Sequence, residues 1–337
     1  MHEASSELTT AAHWVRREDG RIECRLCPHH CVLRDKQIGL CKVRQVHGGE
    51  LKALGYGLLS AAHVDPVEKK PLYHFHPGKP IYSIGGWGCN FACMFCQNWT
   101  ISQQIARDGA RHAPQDVVAE ALSSGSRMLA FTYNEPLIGF EFVRDCARLA
   151  RAAGLRTVLV TNGYVEEAPA AELLPLIDAL NVDIKSMAPG FYRRQCRGTL
   201  EPVLAFCRQA VAAGCHLEIT NLLIPTLNVE EAEVEELATW IKEHLGPLTP
   251  LHLSAYHPDF ESRIEATPVA ALEAAFAICR RHLTYVYMGN VFGAEGQNTV
   301  CPGCGNAMVV RKGYSVKTPG LRRGACAECG RKADIVA

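Results

Sequence analysis

From residue 76 to about residue 290, short apolar runs alternate with stretches of helical period. The apolar runs are Ile81–Gly85, Met128–Tyr133, Thr157–Thr161, Ala179–Ile184, Leu217–Leu223, Leu251–Ala255 and Tyr285–Met288. Short, nearly continuous runs are the pattern of strands buried in a parallel sheet. Between them, Leu137–Ala152, Pro202–Ala213, Val229–Leu245 and Thr267–Arg281 repeat apolar residues three and four apart, as a helix with one buried face does. The alternation predicts β/α units, and right-handed crossovers curl such a sheet toward a full or partial barrel. The expected class is α/β.

The flanks lack this pattern. Residues 1–75 and 291–337 each hold a cysteine cluster, so the expected division is an N-terminal cysteine-rich module (1–75), a core barrel (76–290) and a C-terminal module (291–337). There is no short internal repeat and no low-complexity segment. Polar residues gather where the predicted strands end: Asn134 and Glu135, then Thr161, Asn162 and Gly163, then Asp183 and Lys185. In β/α barrels that edge carries the active site.

Composition changes the picture in two ways. The 35 basic and 35 acidic residues cancel, which argues against a broad nucleic-acid footprint and leaves only a local basic patch open. No run approaches the ~20 apolar residues that span a bilayer, and the opening residues carry no signal pattern. The expectation is a cytoplasmic protein with no membrane partner.

In a reducing cytosol, disulfides do not explain 16 cysteines. Cys146, Cys196, Cys207, Cys215 and Cys279 are scattered and read as structural or surface thiols. The others fall into three tight groups with ligand spacing. Cys89, Cys93 and Cys96 follow a predicted strand as Cys-x3-Cys-x2-Cys, in Gly85-Gly-Trp-Gly-Cys-Asn-Phe-Ala-Cys-Met-Phe-Cys96. Three soft thiolates on one loop can each take one iron of a cubane and leave the fourth iron open; zinc with a remote fourth ligand is the alternative.

Cys301-Pro-Gly-Cys304 and Cys326-Ala-Glu-Cys329 are two knuckles about twenty residues apart, the spacing of a zinc ribbon. Lys312, Lys317, Arg322 and Arg323 lie between them and read as a solvated surface. Cys24, Cys27, Cys31 and Cys41 also suffice for one metal site, with His29 and His30 adding ambiguity. Zinc is the first expectation there and a second iron–sulfur cluster the competitor, since spacing does not separate them.

The Cys89-x3-Cys93-x-Phe95-Cys96 loop resembles the signature of the radical S-adenosylmethionine (SAM) superfamily. The resemblance implies a partial (β/α)6-type barrel, a [4Fe–4S] cluster, and reductive cleavage of SAM to a 5′-deoxyadenosyl radical that abstracts hydrogen from a substrate. Tyr133-Asn134-Glu135 stands where such enzymes carry Gly-Gly-Glu, keeping the glutamate and departing at both glycines. Val160-Thr-Asn-Gly163 and Val182-Asp-Ile-Lys185 resemble motifs of the pyruvate formate-lyase activating enzymes. By that resemblance Glu135, Asn162, Asp183 and Lys185 bind SAM. His252, on a late strand, joins them as a candidate, and Asn221 and Asn290 are further ones.

The order of modules resembles the AmmeMemoRadiSam-type branch over nearly the whole chain, from Cys24-Arg-Leu-Cys-Pro-His-His-Cys31 to the ribbon. Ala333 to Ala337 departs from the expected ending. Implied partners are SAM, a ferredoxin or flavodoxin as electron donor, and a protein substrate or companion proteins of that group. Two other readings stand beside activase-like chemistry: radical modification of a nucleic-acid base or small molecule, and a zinc-binding interaction protein without catalysis. No catalytic side chain is assigned.

Overall fold

The structure is a computed structural model that describes residues 8–104, 109–291 and 296–337. At its centre is an eight-stranded sheet. Its strands are β1 (Ala61–Pro66), β2 (Pro80–Gly85), β3 (Met128–Phe131), β4 (Arg156–Thr161), β5 (Ala179–Asp183), β6 (His216–Leu223), β7 (Leu251–Ala255) and β8 (Val286–Gly289). They lie side by side in chain order; β2 to β8 are parallel, and β1 pairs antiparallel with β2 at the edge. The longer helices are α1 (Pro114–Ser123), α2 (Phe140–Ala152), α3 (Glu167–Leu173), α4 (Glu201–Ala212), α5 (Glu231–His244) and α6 (Val269–Arg280). Helices in the crossovers of a sequentially ordered parallel sheet make the α/β partial barrel expected from the sequence.

All seven predicted strands and four predicted helices form, with ends shifted by at most three residues. Strand β1 was not anticipated. It lies before residue 75, where the N-terminal module was expected to end, and pairs from Ala61↔Gly85 to Pro66↔Pro80. Its exposed stretch Ala62-His-Val64 has no buried face to give it a strand-like pattern.

Period-two alternation sorts the sheet into two faces. Leu129, Phe131, Leu159 and Val182 join the large core that includes Val117 of α1, Val143 and Cys146 of α2, and Val203 and Cys207 of α4. Met128, Ala130, Val158 and Ala179 point the other way, where Val67, Leu72 and Phe75 pack against them. The segment leading into β2 thus fills one end of the interior. Cys146, Cys196, Cys207 and Cys279 are buried and Cys215 is half-buried, as structural thiols would be.

Deeper on that inner face lies Glu218. Its carboxylate accepts from the backbone N–H of Tyr73 (2.9 Å) and His74 (2.7 Å), and pairs with His216 (2.9 Å) and His252 (2.6 Å). His74 also bonds the Tyr287 hydroxyl (2.6 Å). The C-terminal residues dock here: His74 Nδ1 meets the Asp334 carbonyl oxygen, and Val336 pairs with Phe75. Ala333 to Ala337 therefore pack on the segment before β2. Among the described residues no helix is long and apolar enough to cross a membrane.

Burial alone would raise the Glu218 pKa, but the hydrogen bonds from His216 and His252 overcome it and hold the carboxyl well below its usual range. The unfolded glutamate then protonates first, so this stabilisation is complete above about pH 4.3 and is lost as the pH falls from there. Glu218→Ala leaves two backbone donors and two histidines without their acceptor. Denaturant unfolding should show a loss of roughly 3–5 kcal/mol at neutral pH, and Glu218→Gln should flatten the acid side of the stability curve.

Candidate SAM and metal site

The loop after β2 is held from four sides. Asn134, just past β3, accepts from Gly86 N–H through Oδ1 (2.8 Å) and donates through Nδ2 to the Gly88 carbonyl (3.1 Å). Gly88 N–H donates to Ile101 O (2.7 Å). Ala92 and Met94 donate to the carbonyls of Cys196 and Gln195, so a second loop lines the first. Gly198 leaves room for the Phe91 ring, where a Cβ would collide. Phe91 is buried against Tyr164 and Tyr192.

The ends of β3, β4 and β5 bring the expected polar groups to this loop. Glu135 is buried; it accepts from Leu137 N–H (2.9 Å) and Thr161 Oγ1 (2.7 Å) through Oε1, and from Asn162 N–H (2.8 Å) through Oε2. Burial pushes its pKa up to about 7 against those donors. Asn162 Nδ2 reaches the Cys89 sulfur (3.6 Å) and Asn90 Oδ1 (2.9 Å). Lys185 pairs with Asp183 (3.1 Å), with the lysine 15% and the aspartate 36% exposed. Burial works against the Lys185 charge, but the Asp183 carboxylate beside it outweighs it and raises its pKa well above the usual value.

His252 keeps different company. Its Nε2 is committed to Glu218, and its ring packs between Tyr73 (4.8 Å) and Tyr287 (5.3 Å). Its contacts place it in the buried network of Glu218, Tyr73 and Tyr287; among the described residues no hydrogen bond joins it to Glu135, Asn162, Asp183 or Lys185. Asn221 donates to Ile184 O (2.7 Å), and Asn290 to Ala255 O (3.2 Å), so both tie backbone at strand ends.

Sequence reasoning missed several groups. Asn134 stands among the polar residues at the strand ends, but nothing in the sequence shows that it clamps the loop. Asn228 donates to the Lys185 carbonyl (2.7 Å) and fixes the lysine's approach. Cys196 lies beside Cys93. Tyr133 has φ of +72°, a conformation that glycine adopts freely and tyrosine does not. It is held there by a hydroxyl bond to Asp65 and by Lys70 over its ring at 4.6 Å. Gly85 makes room for that ring, since a Cβ there would lie 2.9 Å from it.

The flanking clusters differ in geometry. Cys301 and Cys329 lie 3.6 Å apart, as do Cys304 and Cys326. Four thiolates at ~2.3 Å from one tetrahedral ion stand about 3.8 Å apart, so this group fits a single ion. Cys24, Cys27, Cys31 and Cys41 line one cavity. His29 borders the same cavity but commits its Nε2 to Asn90 O (2.7 Å), and His30 pairs with Glu166 (2.8 Å).

The sequence profile of the Radical SAM superfamily matches residues 84–241, which contain the Cys89 loop, Glu135, Asn162, Asp183 and Lys185. The chain belongs to the radical SAM superfamily. It is 39% identical to the uncharacterized protein MJ0808 of Methanocaldococcus jannaschii over 336 residues, 98% of this chain and all of that one. It is 23% identical to the pyruvate formate-lyase 1-activating enzyme of Escherichia coli over 182 residues, 50% of this chain and 71% of the enzyme. Among solved structures, a domain of a pyruvate-formate lyase-activating enzyme from Bacteroides vulgatus aligns with a TM-score of 0.43 at 20% identity, covering 48% of this chain and 98% of that one.

The radical SAM family implies a [4Fe–4S] cluster and SAM, and the residues present fit them. Cys89, Cys93 and Cys96 offer three thiols on one loop. Among the described residues only the C-terminal four cysteines draw three or more ligand atoms within 4.8 Å of one another. A loop whose three sulfurs do not all come that close suits a cubane, in which each thiolate binds its own iron.

Asn134→Ala removes the side chain that spans Gly86 and Gly88 and leaves the fold's core untouched. After anaerobic reconstitution with iron and sulfide, this variant should retain several-fold less iron per chain than the wild type while unfolding at a similar denaturant concentration.

Proposed function

We propose that this protein cleaves SAM reductively and directs the resulting radical at a substrate, in the manner of the glycyl-radical activases. One observation carries the reading: a three-cysteine loop meets a buried carboxylate and a lysine–aspartate pair along one edge of the barrel. A [4Fe–4S] cluster on Cys89, Cys93 and Cys96 would supply the electron that splits SAM into methionine and a 5′-deoxyadenosyl radical able to take hydrogen from a second molecule. A ferredoxin or flavodoxin suits as the source of that electron.

The chain's own residues bind and orient. The Lys185 ammonium, kept charged by Asp183, suits a carboxylate. A carboxylate has about four acceptor sites, and Glu135 uses three of them on Leu137, Thr161 and Asn162, so one remains for an amino group. Asp183, more exposed than its partner, offers an acceptor to a hydroxyl. Asn162 spans the turn between Glu135 and the Cys89 sulfur and fixes their separation. The similarity to an activating enzyme supports a glycine in a partner protein as substrate. The three-part organisation fits the same reading, with the core barrel doing the chemistry, the N-terminal module packed on its loop, and a C-terminal ribbon holding Zn2+.

Reconstituted wild-type protein given SAM and dithionite should form 5′-deoxyadenosine, and Cys93→Ala protein should form none. A wild type that binds a reducible cluster but whose cluster spectrum ignores SAM would refute the assignment. For the ribbon, metal analysis should find about one zinc per chain; Cys304→Ser should lose it and lower the melting temperature, with the Cys89-loop iron unchanged.

A further inference from the structure

The N-terminal cysteines have the opposite geometry to the ribbon. All four thiols line a single cavity, closed by Leu26, Leu33 and Ile138. Yet among the described residues no three of them bring their sulfurs within 4.8 Å of one another, whereas Cys301, Cys304, Cys326 and Cys329 do. One ion would draw four thiolates to about 3.8 Å separations. The same 4.8 Å limit is not met by Cys89, Cys93 and Cys96.

The histidines that left the ligand set open are used elsewhere. His29 borders the cavity with its Nε2 bound to Asn90 O, and His30 pairs with Glu166, which leaves the four thiols as the ligand set. Soft thiolates alone suit an iron–sulfur cluster as well as zinc, so spacing decides.

The surroundings are built for a buried anionic group. Arg44 lines the same cavity and is 1% exposed. It pairs with Glu141 and donates to the Ala12 carbonyl (2.9 Å), which fixes its guanidinium beside Cys24 and Cys41. The cavity also touches the core loop. Gly88, at φ +79°, lies so close to the Cys41 carbonyl that a Cβ would overlap it, and His29 holds the residue after Cys89.

We propose that Cys24, Cys27, Cys31 and Cys41 hold a second [4Fe–4S] cluster, each thiolate on one iron. All four irons then have a protein ligand, so this cluster has no open position and does not respond to SAM. The inference does not depend on SAM cleavage at the Cys89 loop.

The test uses the full chain, reconstituted anaerobically with iron and sulfide. Wild-type protein should carry about eight irons and eight sulfides, and a Cys89→Ala, Cys93→Ala, Cys96→Ala triple variant about four of each. The triple variant's reduced cluster should give an electron paramagnetic resonance signal that SAM leaves unchanged. A Cys24→Ala, Cys27→Ala variant should lose that signal and keep the other. Zinc in place of iron at this site, about two zincs per wild-type chain with about four irons, would overturn the proposal, as would a triple variant that takes up no iron. If the SAM reading alone is wrong, the triple variant still holds its cluster and only the wild type's response to SAM disappears.

Discussion

The loop that carries Cys89, Cys93 and Cys96 buries Asn90, Phe91, Cys93 and Phe95, but no helix or strand of its own holds its three sulfurs at fixed separations. Its shape is therefore imposed by hydrogen bonds from neighbours. Asn134 arrives from β3, Asn162 from β4, and the carbonyls of Gln195 and Cys196 from the segment after β5. Each neighbour comes from the same edge of the parallel sheet, because parallel strands present all their C-terminal ends together. The register that aligns Asp183 with Thr220 and Val182 with Thr161 is thus also what gathers the site.

Much of this was legible from the sequence because it depends on local pattern. Continuous apolar runs located seven strands, and helical spacing located four helices. Strand β1 escaped because an edge strand exposed at His63 and Val64 has no hydrophobic signature. The site divides the same way. Cysteine spacing picked out the loop, and polar residues after strands picked out Glu135, Asn162, Asp183 and Lys185, which the fold brings to the same edge of the sheet. His252 looked like one of them because a lone histidine on a late strand carries no mark of its partner, and Glu218 lies 34 positions away in the chain.

Tyr133 shows why a motif departure can leave geometry intact. A left-handed backbone conformation at a non-glycine residue costs on the order of 1–2 kcal/mol. Asp65 and Lys70, both from β1 and the turn after it, grip the tyrosine ring and hydroxyl. The unanticipated edge strand thus supplies part of the means by which Asn134 and Glu135 are still delivered to the loop without the two glycines.

The two appended modules brace opposite ends of the barrel. The N-terminal cavity packs on the cysteine loop through Cys41 and Gly88, at the C-terminal edge of the strands. The ribbon is fastened near the start of β2: Arg311 donates to the Tyr73 carbonyl (2.7 Å) and the chain end pairs with Phe75. Tyr73 and His74 in turn give their backbone N–H groups to Glu218 inside the barrel. The position of these C-terminal residues is therefore coupled to the interior through one buried carboxylate, and a core as small as Cys301, Met308, Val309, Cys326, Ala333 and Ile335 leans on that anchorage.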